Sequence, residues 1–211
     1  MIKMEINLNS IGMEKGRQYE TIITTTNPDG TKNAAPIGVI YAGDDEIITR
    51  IFKGSHTLDN MIREKEFIVN ITHDPELFTI SLLGNLPQNY FNDDCSLKCG
   101  DAHFKCNAIN FTEAVKQSDP IKKRGEAIVS RSKVSDIVIN KPVKAMNRGF
   151  GYVIESLANL TRFDLVDDVQ KEKYVARFKE SYRVVLKVGR KEDIKAMKEI
   201  KKELLKKGYD L

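Results

Sequence analysis

Between Arg50 and Thr57 the chain gathers groups that suit an anion. Arg50 and Lys53 supply positive charge, and Ser55 and Thr57 supply hydroxyls. Ser55 also reads as a helix N-cap, with Asp59 in the turn that follows. A helix starting there adds unpaired backbone N–H groups and the positive end of its dipole, so a phosphate would meet several short donors at once. The same residues equally describe an ordinary capped helix with solvated basic neighbours.

A second group of chemically able residues is Cys95, Cys99, His103 and Cys106, four soft ligands spaced by four, four and three. On a helix they would share one face. Zinc sites usually carry closer cysteine pairs, such as C-x2-C. Small, partly buried thiols are the plainer reading, with a metal as the alternative.

Several elements must position these groups. Ile47, Ile48, Ile51 and Phe52 close a strand, Lys53-Gly54 breaks it, and Leu58, Met61 and Ile62 recur at helical spacing. Phe67 to Ile71 is a further strand whose end carries Asn70, either to cap a backbone edge or to read a bound group. Upstream, Glu20 to Thr26 is a strand, Asn27-Pro28-Asp29-Gly30 a turn, and Asn33 to Tyr41 the returning strand. Pro36 inside it cannot donate to a ladder and marks an edge, a bulge or a ligand-facing break. Gly38 permits close backbone approach. Before these, Ile6, Leu8 and Ile11 suit a short strand or packing arm.

Further along, Leu77 to Leu83 reads as a short helix or strand. Residues 84–106 read as a long polar loop, a lid or an insertion. Ile109 to Val115 and Glu126 to Val138 alternate as strands around a basic turn, Pro120 to Gly125. From Pro142 the pattern becomes helical. Phe150, Val153, Ile154, Leu157 and Leu160 form a stripe for core or subunit contact. Tyr174, Phe178 and Tyr182 mark a second helix, and Glu192 to Lys207 a third that Gly208 ends.

Composition narrows the classes. A chain of 211 residues can bury one core with an appendage. No run approaches the ~18 apolar residues of a membrane-spanning helix. The start, M-I-K-M-E-I-N-L-N-S, has no apolar leader, and three cysteines do not suggest a secreted disulfide framework, so a cytoplasmic location is expected. The net charge of +4 is unevenly spread: residues 170–211 hold 14 Lys/Arg against 7 Asp/Glu. A basic helical tail is commonly a solvated face, which argues against nucleic acid as the main partner. No G-x-G-x-x-G follows a strand, so there is no dinucleotide fingerprint.

The run S-H-T-L-D-N-M-I followed by E-F-I-V-N, Ser55 to Asn70, resembles the flavin-reductase-like branch of the FMN-binding split barrels. With E-T-I-I-T-T-T-N-P-D-G-T-K-N-A-A-P-I-G-V, Glu20 to Val39, it is similar to a mostly archaeal family of such proteins. A weaker likeness covers N-R-G-F-G-Y-V-I-E-S-L-A-N-L-T-R, Asn147 to Arg162. The resemblance implies an α+β, mainly β fold: an FMN-binding split β-barrel over residues 1–141. A helical C-terminal region, 142–211, would pack on the barrel or on a dimer partner. It further implies a homodimer with FMN at the interface. Arg50, Ser55, His56, Thr57 and Asn60 would surround the phosphate end, and Pro36, Ile37, Gly38 and Asn70 would lie by the ring or ribityl chain.

The expected function is an oxidoreductase of the flavin-reductase-like type. It would draw on a reduced nicotinamide or deazaflavin donor and pass electrons to a small-molecule acceptor that the sequence does not name. No side chain announces itself as an acid or base. The alternative is a non-enzymatic FMN carrier that docks an acidic protein through the basic tail. Neither nucleic acid nor membrane is an expected partner.

Overall fold

A computed structural model describes residues 7–83, 86–114 and 127–211. It divides into two compact units, residues 1–146 and 147–211. Ile6, the basic turn at 120–125, and the strand ends Val115 and Glu126 lie outside the described residues.

The first unit is a closed antiparallel barrel of six strands: β1 (Gln18–Thr26), β2 (Lys32–Gly43), β3 (Glu46–Phe52), β4 (Glu66–Ile71), β5 (Ala102–Ala114) and β6 (Ala127–Ile139). Their spatial order is β1-β2-β3-β6-β5-β4. Local signals build the hairpins. Asn27 accepts the Gly30 N–H at 3.0 Å, and Gly30 sits at φ 83°, where a side chain would be strained. This joins β1 to β2 in a register that pairs Ile22 with Pro36. β5 and β6 pair as sequence neighbours, whereas two closures are not local: β6 also pairs with β3, and β4 returns to β1.

Alternate residues of each strand enter the barrel. Tyr19, Ile23, Val39, Ile47, Phe67, Val69, Phe104 and Val134 form its core with Leu8, Ile11 and Met13, which precede β1. Leu8 and Ile11 lie on a short 3-10 turn, so this segment is a packing arm and not a strand. β1 and β4 are buried on their outer faces too, which is why T-I-I-T-T-T and F-I-V-N-I read as nearly continuous buried runs.

What covers those outer faces corrects the expectation of a polar loop over 84–106. A helix, α2 (Pro75–Leu83), leads into it. Leu86, Phe91, Cys95 and Leu97 then pack with Leu77 on Ile22 and Ile68 as a second apolar cluster. Residues 102–106 already belong to β5. Short polar side chains bind the segment to itself. Asn92 donates to Ser96 at 2.9 Å, and Asp94 accepts both the Ser96 N–H and its hydroxyl. The residue types that suggested solvent are spent on internal bonds.

The second unit holds α3 (Gly149–Thr161), α4 (Asp168–Val188) and α5 (Lys191–Lys206). Its core is Val153, Phe163, Tyr174, Val175, Phe178, Val185, Met197, Ile200 and Leu204. The expected stripe on α3 splits: Val153 is buried, while Phe150, Ile154 and Leu157 are exposed. Met197 is fully buried, so Met197→Ala should destabilise the unit by about 2–5 kcal/mol, read from its unfolding transition in denaturant. No described helix is long and apolar enough to cross a membrane.

Candidate functional site

The barrel opens along one seam. β2 and β3 pair from Gly43 back to Val39, opposite Thr49, and there the ladder ends. Continued, it would set Gly38 opposite Arg50; instead residues 32–38 of β2 pair with β1 alone. Hydrogen-bonding parity tells which groups face the seam. The Tyr41 N–H donates to Arg17 and the Glu20 N–H points away to Met146, so odd-numbered β2 residues bond β1 and even-numbered ones face outward. Gln88 confirms this at Lys32: its carboxamide accepts the Lys32 N–H at 2.8 Å and donates to the Lys32 carbonyl at 2.9 Å. Among the described residues the open groups are therefore the N–H and C=O of Ala34, the C=O of Pro36, and the N–H and C=O of Gly38. Pro36 occupies an edge, one of the places its missing donor permits. Ile37 turns inward, packs against the core, and accepts the Thr21 hydroxyl at 2.7 Å.

The turn Lys53-Gly54 and α1 (His56–Glu64) stand at the end of this seam. Ser55 caps α1 by accepting the Leu58 N–H at 3.3 Å and donates its hydroxyl to Phe52 at 3.0 Å. The N–H groups of His56 and Thr57 keep no partner among the described residues, and the His56 side chain is exposed. Arg50 is exposed on β3, facing out of the barrel. Lys53 bonds Glu113 at 2.7 Å, so its charge is partly spent.

A buried polar network holds α1 against the first hairpin. Thr57 accepts from Asn33 at 2.9 Å, and Asn33 also donates to Thr25 at 3.2 Å. Asn60 donates to Thr25 at 3.0 Å and to Asn27 at 2.8 Å, and accepts from Arg63 at 3.0 Å. Thr57 and Asn60 are each 2% exposed. They face the barrel and fix the helix start; they do not present themselves to solvent. Sequence reasoning missed Asn33, whose signal was a polar residue at an inward position of a strand. Beside this network lies a cleft of about 270 Å³. It is lined by Asn27 and Thr31 of the first turn, Lys32 to Ala34 of β2, His56, and Leu86 and Gln88 of the covering loop.

Two expectations give way. Asn70 does not reach the seam. It is fully buried, donates to the Ile22 carbonyl and the Thr24 hydroxyl at 3.0 Å each, and accepts the Leu97 N–H at 2.8 Å. It caps backbone and pins the covering loop, using every group its amide has. The four soft ligands also separate. Cys106 points into the barrel, Cys95 lies beneath the covering loop, Cys99 is exposed, and His103 is on the outer side of β5. Cys95 and Cys99 sit on the loop, and His103 and Cys106, three apart on β5, point to opposite faces of the strand. Burial raises the Cys95 thiol and pushes Cys106 well up. Among the described residues no three His, Cys, Asp or Glu side chains are grouped to hold a metal.

Two family models match the chain: the N-terminal domain of a protein of unknown function, DUF447, over residues 19–133, and DUF447 over residues 147–202. The protein MJ1453 of Methanocaldococcus jannaschii is 27% identical over 175 residues, 81% of this chain and 90% of that one. The crystal structure of the FMN-bound protein MM1853 from Methanosarcina mazei, of the same family, is 29% identical. That likeness covers 93% of this chain and 99% of the other, with a TM-score of 0.53.

Proposed function

Because this chain belongs to the DUF447 family, and a member of that family has been crystallised with FMN, we propose that it is an FMN-binding flavoprotein. The observation that carries the reading is the likeness to that FMN-bound protein along nearly the full length of both chains. The local chemistry fits. A planar ring needs in-plane donors and acceptors, and the open edge of β2 offers them at Ala34, Pro36 and Gly38. A phosphate needs charge and unspent N–H groups, and the start of α1 offers His56 and Thr57 with Arg50 exposed on the adjoining strand. Ser55, Thr57 and Asn60 then act by holding that helix start in place.

When bound, FMN would supply the redox chemistry. The chain orients it, limits water at its edge and leaves one side open to a donor and an acceptor. The reaction we favour is that of a flavin-reductase-like oxidoreductase in the cytoplasm, acting as a homodimer with flavin at the interface. Exposed Phe150, Ile154 and Leu157 support a subunit contact, since a monomer leaves them in water. A second reading, an FMN carrier that docks an acidic protein, draws on the exposed Lys173, Arg177 and Lys191 of the tail.

The test is an absorbance spectrum of the purified protein, with the released chromophore run against FMN, FAD and riboflavin. A flavin spectrum and release of FMN are expected. A colourless protein that does not take up added FMN would overturn the reading.

A further inference from the structure

Thr49 on β3 lies opposite Ser130 on β6, and Ser132 lies two residues further along the same face. All three point into the barrel: Thr49 is 1% exposed and both serines 0%. Their neighbours on those faces, Ile47 and Ile51 on β3 and Ile128 and Val134 on β6, belong to the apolar core. The serine hydroxyls bond one another at 3.0 Å. Thr49 Oγ1 is buried and has no partner among the described residues.

A buried hydroxyl without a partner is uncommon, because it gave up hydrogen bonds to water and regained none. Thr49 Oγ1 can donate one hydrogen bond and accept two. The serine pair cannot satisfy itself either: one mutual bond uses one of its two O–H donors. The two serines are shorter than the flanking Ile128 and Val134, and the residue opposite Ser132 on β5 is Ala108. A buried water needs two to four polar partners, and the inward hydroxyls of these paired strands can supply them.

We infer that Thr49, Ser130 and Ser132 hold one ordered water inside the barrel. The site has a meaning in the fold. Val39 opposite Thr49 is the last rung of the β2–β3 ladder, so the water lies where the two strands part. It accepts a hydrogen bond from the Thr49 hydroxyl and donates one to a serine oxygen, cross-linking β3 to β6 beside the rung at which β3 parts from β2. The inference is independent of whether the seam binds flavin.

Thr49→Val decides it, because valine keeps the shape and removes the hydroxyl. If the water is present, the variant strands a serine hydroxyl, loses one long-lived internal water in magnetic relaxation dispersion, and melts about 2–6 °C lower. Thr49→Ser keeps the hydroxyl and should keep the water. If Thr49 is merely an orphan, valine removes a buried liability. A melting temperature unchanged or raised in Thr49→Val, with the same count of internal waters as the native protein, overturns the inference. Should the valine variant not fold, a crystal structure of the native protein at a resolution that shows waters is decisive. A water within hydrogen-bond distance of Thr49 Oγ1 supports the site, and none there rejects it.

Discussion

Asn70→Leu should lower the thermal midpoint by about 6–12 °C, the largest effect expected of any single polar substitution in the barrel. Leucine has a similar volume but none of the three hydrogen bonds that Asn70 makes. The buried Leu97 N–H loses the Asn70 acceptor, and the Ile22 carbonyl and Thr24 hydroxyl each lose a donor. Stranding buried polar groups costs about 1–3 kcal/mol apiece, so a total near 3 kcal/mol follows even with partial rescue. At about 2–4 °C per kcal/mol for a chain of this size, the shift is easily measured. The loss should be concentrated in the loop that Leu97 anchors, so amide exchange at residues 86–101 should rise more than exchange in β3 and β6. A midpoint within about 2 °C of native would show that the loop is held by its apolar contacts alone.

On the proposed flavin reading, the double variant Ser55→Ala, Thr57→Val should weaken FMN binding at least tenfold and riboflavin binding far less. Neither side chain need touch the phosphate for this. Ser55 supplies the cap of α1, and its loss costs about 1 kcal/mol. Thr57 accepts the bond by which Asn33 ties α1 to β2, worth about another 1 kcal/mol. If the helix start shifts or frays, the His56 and Thr57 N–H groups no longer converge, and a loss of about 1.4 kcal/mol is already tenfold in affinity. Titration of apoprotein with each flavin reads the difference directly. Equal losses for FMN and riboflavin would place the phosphate elsewhere while leaving the flavoprotein reading standing.

The stretch from β3 to β4 was legible because its determinants are local. Ser55 followed by helical spacing marks a helix start wherever it occurs, and Asn-Pro-Asp-Gly marks a turn. The helices of the second unit were legible for the same reason. Closure of the barrel was not, since nothing in β6 names β3 as its partner. The covering loop misled because Leu86, Phe91, Cys95 and Leu97 are too widely spaced to show a period, and their burial depends on Ile22 and Ile68, far away in sequence. Asn70 misled because an amide at a strand end suits a ligand and a backbone edge equally well. The choice was made by a loop that begins 16 residues later. For the cysteines the plainer reading, small and partly buried thiols, is the one the structure supports: Cys95 and Cys106 are buried and Cys99 is exposed.

The open seam of β2 also bears on self-association. An unpaired strand edge is a template on which another polypeptide can grow, and a barrel that parts along one side exposes such a template permanently. An incoming strand needs an unbroken run of donors and acceptors at every second residue. Here the Gln88 carboxamide occupies the first position, at Lys32. Pro36 then removes a donor from the middle, leaving a run too short and too irregular for another chain to follow. The same interruption does not deter a small rigid heterocycle, which asks for only two or three contacts. Pro36 thus makes this edge a poor template for a further strand.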